Sequence, residues 1–472
     1  MSPLKIYRLH FIGIGGIGMS GIAEIFLSQG HEVSGSDLSL SETTERLVKL
    51  GATIFPSHQK ENINAVDVVV TSSAVKKNNP EVLEAKRLGI PVIPRAEMLA
   101  EIMRGKTGIA VAGTHGKTTT TSMTAQILME AGFDPTVVVG GKVEAIGSNA
   151  KVGGGTIVVA EADESDGSFH LLPATHAIIT NIDLDHMEHY VTRENLDDAF
   201  IHFAKQIPFY GCAWVCLDDD GVKKILPHLT KPFHTYGLNA DADLYATNLR
   251  NIQGAQTFDL HCRSEKDVKH THLGHITLSV LGVHNVLNAL AAIGISLTLG
   301  AGIDAIKKAL MRFSHVKRRF DQKFYSEARQ VRVIDDYGHH PTEIRAVLAT
   351  AKQAGHGRIV TVFQPHRYSR TQLCWEEFLT CFQNTDVLVM LPIYAASEEP
   401  IEGITQTALL QAIRSDQSNR FQSFEASSLT EAQDWVLKHH RDGDLILTMG
   451  AGSITKLGDL LSESLSARPK HY

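Results

Sequence analysis

Short apolar runs alternate with longer segments of mixed polarity along the first hundred residues. The apolar runs begin at Lys5, Glu32 and Asp67, and we expect each to form a β-strand. Between them, Met19 to Gln29 and Ser41 to Leu50 are predicted to be helices. Strands that alternate with helices in this way predict a doubly wound parallel sheet.

The same alternation continues to the end of the chain. It predicts further strands at Gly108 to Ala112, Thr156 to Ala160, Ala177 to Thr180, Val331 to Ile334, Arg358 to Phe363, Asp386 to Leu391 and Asp444 to Met449. The pattern is that of an α/β protein with mostly parallel sheets. Its 472 residues suggest about three domains, which we expect at residues 1–105, 106–314 and 315–472.

A glycine turn follows the strand at Gly108 to Ala112. It reads Gly113, Thr114, His115, Gly116, Lys117, Thr118 and Thr119. Backbone amides beside glycines, a helix N-terminus, a lysine charge and a hydroxyl for Mg²⁺ together predict a nucleotide triphosphate site. The usual P-loop spacing is not met, since Val111 stands where a glycine is needed. The alternative is a glycine-rich turn with an incidental lysine.

A second glycine turn follows the first strand of the chain. Gly13, Gly15, Gly16 and Gly18 satisfy G-x-G-x-x-G, and Asp37 lies where a ribose-binding acid is expected. This pattern predicts a phosphorylated ligand without saying which one. An NAD-dependent oxidoreductase is therefore a competing hypothesis.

Acidic residues follow two of the predicted strands in the middle of the chain. The first strand ends in Glu161, Asp163, Glu164 and Asp166, and the second is followed by Asp183, Asp185 and His186. Carboxylates at strand ends beside a phosphate loop are suited to a nucleotide-bound Mg²⁺. The alternatives are a solvated acidic loop and a structural histidine.

Three further groups of polar residues are candidates for binding. His284, Asn285 and Asn288 open a helix, where they can cap it or hydrogen-bond an adenine edge. Asp335, Asp336 and Tyr337 lie in a strand-to-helix turn. Arg367 and Arg370 are three residues apart, a spacing that suits bidentate binding of a carboxylate.

Composition and charge exclude several classes of protein. A net charge of −7 argues against nucleic-acid binding. Five cysteines without paired C-x-x-C motifs indicate reduced thiols and a cytoplasmic protein. The longest apolar stretch, 286–303, is interrupted by Asn288 and several glycines, so we expect a buried helix and no membrane insertion.

Read together, these motifs resemble the Mur ligase family of peptidoglycan synthesis. The resemblance spans nearly the whole chain and rests on GIGGIGMSGIAE at 13–24, GTHGKTTTT at 113–121, EADESDGSF at 161–169, NIDLDHM at 181–187, GVHNVLNALAA at 282–292, KRRFD at 317–321, DDYGHHPTE at 335–343 and QPHRYSRT at 364–371. It implies an N-terminal Rossmann-like domain, a central P-loop ATPase domain with a mostly parallel sheet, and a C-terminal Rossmann-like domain. ESDGSFHLL at 164–172 and QPHRYSRT at 364–371 are similar to the branch that adds L-alanine to UDP-N-acetylmuramate, with ATP as co-substrate and an acyl phosphate as intermediate.

The resemblance also implies a role for each candidate residue. Lys117, Glu161 and His186 would be catalytic, and Mg²⁺ (or Mn²⁺), as two ions, would be held by Thr118, Glu161 and His186. The glycine turn from Gly113 to Thr119, called the phosphate loop below, would bind the ATP phosphates. Adenine would be bound by His284, Asn285 and Asn288, and the ATP ribose by Asp335 or Asp336. Tyr337, Arg367 and Arg370 would bind alanine, and the first glycine turn with Asp37 the UDP-sugar.

Other points stay open in the sequence. The alternatives are a recycling ligase that attaches a tripeptide to the same sugar nucleotide, or a P-loop ATPase that forms no amide. We expect a monomer or a weak homodimer. Lys205 as a modified metal ligand, His115, Arg318 and Arg319 receive no role.

Overall fold

The computed structural model describes residues 5–72, 74–143, 148–263, 270–314, 316–355 and 357–467. The chain forms two compact units. One contains residues 1–249, 258–278 and 287–314, and the other contains residues 250–257, 279–286 and 315–472. The described residues form three sheets, so the predicted α/β class is confirmed, while the three domain ranges stay a prediction.

The first sheet has five parallel strands in the described residues, in the order β3-β2-β1-β4-β5. Its strands are β1 (Arg8–Ile12), β2 (Glu32–Ser36), β3 (Thr53–Phe55), β4 (Val68–Thr71) and β5 (Val92–Pro94). Its helices are α1 (Ile17–Ser28), α2 (Glu42–Lys49), α3 (Pro80–Arg87) and α4 (Arg95–Met103), with a 3₁₀ turn at Lys60–Asn62. The strands and helices predicted from Lys5 to Ser72 are confirmed within a few residues.

Most of the second sheet lies in the same unit, and in the described residues it has ten strands, in the order β15-β14-β13-β12-β11-β10-β6-β9-β7-β8. The strands are β6 (Thr107–Ala112), β7 (Thr136–Val143), β8 (Ser148–Lys151), β9 (Ile157–Glu161), β10 (His176–Ile179), β11 (Ala213–Cys216), β12 (Phe233–Gly237), β13 (Leu244–Ile252), β14 (Ala255–Arg263) and β15 (His270–Leu278). Parallel pairing of β6 with both β9 and β10 brings three strand ends together.

Six helices accompany this sheet in the described residues. They are α5 (Lys117–Glu130), α6 (Met187–Tyr190), α7 (Arg193–Lys205), α8 (Asp220–Ile225), α9 (Val283–Thr298) and α10 (Ile303–Met311), with 3₁₀ turns at Ser168–Leu171 and Leu226–His228. Most side chains of α9 from Val286 onward are buried, as the sequence predicts for this stretch. No helix in the described part of the chain is both long and apolar enough to cross a membrane.

The third sheet forms the core of the other unit. Within the described ranges it has six strands, in the order β16-β17-β21-β18-β19-β20, all parallel except β16. The strands are β16 (Asp321–Ser326), β17 (Val331–Asp336), β18 (Ile359–Phe363), β19 (Val387–Met390), β20 (Gln422–Glu425) and β21 (Leu445–Met449). The helices are α11 (Pro341–Gln353), α12 (Tyr368–Leu373), α13 (Trp375–Thr380), α14 (Gln406–Ser415), α15 (Leu429–His439) and α16 (Thr455–Ala467).

Candidate active site

The loop between β6 and α5 is a tight turn at the carboxyl end of a buried strand. Its two glycines have positive φ angles, 126° at Gly113 and 82° at Gly116, which residues with a Cβ atom rarely adopt. A Cβ atom on Gly113 would lie 2.0 Å from Oγ1 of Thr180. Gly116 directly precedes α5, so the loop leads into a helix N-terminus whose free amides suit an anion.

Lys117 is the first residue of α5, and its side chain folds back over the loop. Its Nζ donates to the carbonyl oxygens of Gly113, at 2.7 Å, and Thr114, at 3.2 Å. The same nitrogen lies 2.9 and 2.7 Å from the two carboxylate oxygens of Glu164. Burial by itself lowers the pKa of Lys117, but attraction to Glu164, Asp163 and Glu161 offsets it and raises the pKa above its ordinary value. The lysine is therefore held as a cation.

Glu161 ends β9 beside the start of α5. Its Oε2 accepts a hydrogen bond from Oγ1 of Thr118 at 3.0 Å and one from the backbone N–H of Gly140 at 2.8 Å. The pair arises because β9 lies next to β6 in the sheet, so a residue 43 positions away reaches the first turn of the helix. A hydroxyl and a carboxylate at this separation are oxygen donors of the kind that Mg²⁺ prefers. Thr119, the next residue, is buried in the same turn of α5.

His115 lies inside the phosphate loop and is anchored to the end of β10. Its backbone N–H donates to Oδ1 of Asn181 at 2.8 Å, and its carbonyl oxygen accepts from Oγ1 of Thr180 at 2.6 Å. Its Nε2 lies 3.1 Å from Oδ2 of Asp183. These contacts give a structural role to His115, for which the sequence predicted none. They tie the phosphate loop to the neighbouring strand.

His186 lies at the third strand end, just before α6. Its backbone is left-handed, with φ of 56°, which is uncommon for a residue with a side chain. The ring nitrogens lie 3.8 Å from carboxylate oxygens of Asp185 and Glu188. An imidazole between two carboxylates is a reasonable metal ligand, although the described contacts join it to these acids and not to Glu161.

The first glycine turn is held in shape by Asp37, the acid that the sequence predicts to bind the ribose of a ligand. Oδ2 of Asp37 accepts from the backbone N–H of Gly15 at 2.9 Å, and Oδ1 accepts from that of Ser39 at 3.0 Å. Gly13 has a φ of 75°, and its N–H donates to the carbonyl oxygen of Ser36. Asp37 therefore fixes the shape of the turn, whatever it binds in addition.

Arg95 joins the first sheet to the site on the second. It begins α4, and its Nη2 lies 3.0 Å from Oδ2 of Asp163 in the loop after β9. A Cβ atom on Gly18 would lie 3.0 Å from Nη1 of Arg95, so the guanidinium packs against the first glycine turn. Together with Gly140 and Glu161, these residues line a cavity of about 40 Å³. The cavity lies between the first glycine turn and the acidic end of β9 within one compact unit.

Asn288 packs against the phosphate loop. Its Oδ1 accepts from Oγ1 of Thr120 at 3.1 Å, and a Cβ atom on Gly116 would lie 2.5 Å from the same oxygen. His284 and Asn285 fall in the segment that belongs to the other unit. Asn285 donates to the carbonyl oxygen of Leu281 at 2.7 Å, as a residue near a helix start does. Burial is the main reason why the pKa of His284 is lowered to about 4.

Asp335 and Asp336 are buried at the end of β17. Asp335 accepts from Nε of Arg318 at 3.1 Å and from Oγ1 of Thr448 at 2.9 Å. The carboxylate of Asp336 accepts two backbone N–H groups at 2.7 Å each, those of Phe320 and Gly338. Burial raises the pKa of Asp336 to about 6. Both acids are engaged by their own unit.

The three residues predicted to bind alanine lie close to arginines and histidines of the same unit. Arg370 is buried, and its Nη1 lies 3.1 Å from Nδ1 of His366. Arg367 precedes α12 with a φ of 70°. The ring of Tyr337 faces the guanidinium groups of Arg318 and Arg319, whose Cζ atoms lie 4.9 and 5.2 Å from the ring centre.

Sequence reasoning missed three residues of this site: Arg95, Gly140 and Tyr190, whose phenol donates to the backbone carbonyl oxygen of Glu164. Each contributes through a contact with a residue distant in the chain, and none carries a local motif. Glu164 was part of a recognised acidic run, yet nothing in the run distinguished it from its neighbours. Its contact with Lys117 in the folded structure distinguishes Glu164 from the other acids of the run.

The fold and the site define a nucleotide-binding α/β protein whose phosphate loop is surrounded by carboxylates. Family models agree and match most of the chain in order. They are the catalytic domain of the Mur ligase family at residues 8–107, the Mur ligase middle domain at 111–296 and the glutamate ligase domain of Mur ligases at 318–452. The chain belongs to the Mur ligase family, which confirms the resemblance found in the sequence.

Individual relatives refine this assignment. The chain is 50% identical over 464 residues to the UDP-N-acetylmuramate--L-alanine ligase of Geotalea uraniireducens, covering 98% of each protein. Among solved structures it is similar to the UDP-N-acetylmuramate-alanine ligase MurC of Thermotoga maritima, with a TM-score of 0.81, 30% identity and coverage of 98% and 99%. A murein peptide ligase of Psychrobacter arcticus has a TM-score of 0.72 at 23% identity, covering 98% and 99%, and shares the fold.

Proposed function

We propose that this protein is an ATP-dependent ligase that joins L-alanine to UDP-N-acetylmuramate in the synthesis of peptidoglycan precursors. The observation that carries the proposal is the 50% identity, over 98% of both chains, to a relative that bears this activity in its name. The assembled phosphate loop of the second sheet supports it. We expect the protein to act in the cytoplasm.

The reaction needs activation because a carboxylate is a poor acyl donor. The lactyl carboxylate of UDP-N-acetylmuramate attacks the γ-phosphorus of ATP, and the bond to the bridging oxygen breaks to release ADP. The amine of alanine then attacks the carbonyl carbon of the acyl phosphate. Inorganic phosphate leaves with the bonding electrons, the nitrogen loses a proton, and an amide remains.

Lys117 would stabilise the transferring phosphoryl group. Its charge, maintained by the surrounding carboxylates, lies in the loop where the phosphates of a nucleotide would bind. The backbone amides at the start of α5 would hold the same phosphates without any side chain. Both contributions come from one turn of the chain, Gly113 to Thr119.

Thr118 and Glu161 fit one Mg²⁺ ion, since they present oxygen donors 3.0 Å apart. His186 is proposed as a ligand of a second ion together with Glu161. When bound, such ions neutralise charge on the phosphoryl group as it moves between oxygens. Glu161 is itself oriented by the N–H of Gly140, which leaves its other oxygen outside that hydrogen bond.

The remaining assignments concern the three substrates. We assign the UDP part of the sugar nucleotide to the glycine turn at 13–18 and to Asp37, which shapes that turn. We assign adenine to Asn288 with His284 and Asn285, and the alanine carboxylate to Tyr337, Arg367 and Arg370. Asp335 and Asp336 keep the predicted role toward the ribose, and their buried contacts support a second role, in which they position the loop that follows β17.

The decisive experiment is a product assay. The purified protein is given ATP, Mg²⁺ and UDP-N-acetylmuramate with either L-alanine or the L-alanyl-D-glutamyl-diaminopimelate tripeptide, and the amide product is detected by mass spectrometry. We expect the alanine product with equal release of ADP. Preference for the tripeptide would identify a recycling ligase, ADP without amide would identify an ATPase, and stabilisation by NAD would favour the oxidoreductase.

A separate experiment tests the role of Arg370 in binding the alanine carboxylate. Arg370→Ala should raise KM for alanine about 100-fold, because a bidentate charged contact is lost, and leave KM for ATP within about twofold. Arg414→Ala is the control, since this exposed arginine contacts Ser423 on the surface of the same unit. Equal changes in both KM values would remove Arg370 from the alanine site.

A further inference from the structure

The ammonium group of Lys117 already has a full set of partners within the protein. An ammonium offers three N–H donors. The carbonyl oxygens of Gly113 and Thr114 take two of them, and the carboxylate of Glu164 takes the third. For the lysine to donate to a phosphate, at least one of these contacts must be given up. The roles assigned above do not explain why an acid occupies this position.

Glu164 is firmly fixed opposite the lysine. Its side chain is almost completely buried, and both carboxylate oxygens lie within 2.9 Å of Nζ. Its backbone carbonyl oxygen accepts from the phenol of Tyr190 at 2.5 Å and from the N–H of Gly167 at 3.0 Å. These contacts hold the backbone of Glu164 in place, so the carboxylate stays beside the loop while the longer side chain of Lys117 can change partner.

The carbonyl contacts and the carboxylate contact differ in strength. A buried lysine without a counter-charge would pay a large desolvation penalty, which an acid in direct contact offsets. Among the three partners of Nζ only Glu164 has an ionisable side chain, and while burial raises its pKa, attraction to Lys117 opposes that rise. A polyphosphate that enters the loop offers the same kind of charge and therefore competes with this carboxylate for the lysine.

We propose that Glu164 is a positioning residue that holds Lys117 in the nucleotide-free loop and is exchanged for the terminal phosphates when ATP binds. The proposal rests on the proposed function only in taking ATP as the nucleotide. In the free protein the carboxylate keeps the lysine charged and ordered. In the bound protein it repels the phosphates, so it weakens nucleotide binding in proportion to the charge that approaches the lysine.

The test is a comparison of nucleotide affinities in Glu164→Gln. Kd values are measured by titration calorimetry with Mg²⁺ and β,γ-methylene-ATP, ADP or adenosine, in the full chain without sugar nucleotide or alanine. We expect the triphosphate to bind about tenfold more tightly than to the unaltered protein, ADP to change less, and adenosine to bind equally. A purely structural role would change all three alike.

Asp166→Asn is the matched control, because it removes a charge from the same acidic run while its carboxylate contacts Ser168 and not Lys117. It should leave all three affinities unchanged. Glu164→Asp keeps the charge but shortens the side chain, so it should tighten triphosphate binding to a smaller degree. This variant also decides the matter if Glu164→Gln does not fold.

Weaker or unchanged triphosphate binding in the Glu164 variants would overturn the proposal, as would an equal change for adenosine. The outcome is independent of the amide product. If the product assay shows no alanine ligation but the affinities follow the expected order, the proposed function fails and the exchange at Lys117 holds.

Discussion

The two glycine turns of the first unit share a layout and differ in what surrounds them. Each joins a buried parallel strand to a helix, and each contains a glycine with positive φ, Gly13 in one and Gly113 in the other. The first turn is held by its own acid, Asp37, and contains no lysine. The second contains Lys117, and Glu161 and Glu164 reach it from the neighbouring strand.

A glycine turn by itself therefore indicates only that a phosphate can bind. What happens to the phosphate depends on side chains that come from other strands. The turn at 13–18 has groups suited to holding a ligand in place. The turn at 113–119 has in addition a buried cation and carboxylates suited to a metal, which phosphoryl transfer requires.

The largest effect is expected at the lysine of the second turn. Lys117→Met should lower kcat about 1,000-fold, because the charge that stabilises the phosphoryl group is lost. KM for UDP-N-acetylmuramate should change little, as the first turn is untouched. ADP release measures both values, and Lys151→Met, a surface lysine paired with Asp134, is the control. A kcat within tenfold of normal would contradict the proposed role.

A smaller loss is expected at the carboxylate beside it. Glu161→Gln should lower kcat about 100-fold, since an amide is a poor Mg²⁺ ligand, and should raise the Mg²⁺ concentration needed for half-maximal activity. Glu130→Gln, whose carboxylate pairs with Lys308, is the control in the same unit. An unchanged Mg²⁺ requirement would remove Glu161 from the metal site.

The first turn should respond in binding and not in catalysis. Asp37→Asn weakens the hydrogen bonds to Gly15 and Ser39, so KM for UDP-N-acetylmuramate should rise about tenfold while KM for ATP stays constant. Steady-state kinetics with each substrate varied provides the measurement, with Glu61→Gln on the surface as control. A change in KM for ATP of similar size would erase the distinction between the two turns.

The smallest effect concerns the shape of the second turn. Gly116→Ala places a Cβ atom at a φ of 82° and 2.5 Å from Oδ1 of Asn288, which should lower the free energy of unfolding by about 1–3 kcal/mol. Gly302→Ala is the control, because nothing lies within 4 Å and its φ is −72°. Urea unfolding of both variants measures their free energies of unfolding. Equal stabilities would show that the turn adapts to a side chain.

The local features of this protein were predictable because they depend on neighbours in the chain. Short apolar runs predicted the central strands of each sheet, such as β6, β10 and β18. Strands with polar or mixed composition, such as β16 with the sequence DQKFYS, were missed. Such an edge strand is identified by its pairing with β17, which the chain pattern does not encode.

The candidate site likewise combines local features, which could be predicted, with contacts between distant residues, which could not. The two glycine turns, the acidic runs and the family could be recognised from the residues alone, since spacing within a motif fixes backbone geometry and which groups can meet a phosphate. The fold was needed to show which acid contacts Lys117, that Asp37 accepts a hydrogen bond from Gly15, and that Arg95 reaches Asp163. These contacts depend on the order of strands in the sheets and on which helices border them. Placing β9 and β10 on either side of β6 brings residues more than 40 positions apart within 3 Å, because the carboxyl ends of parallel strands share one edge.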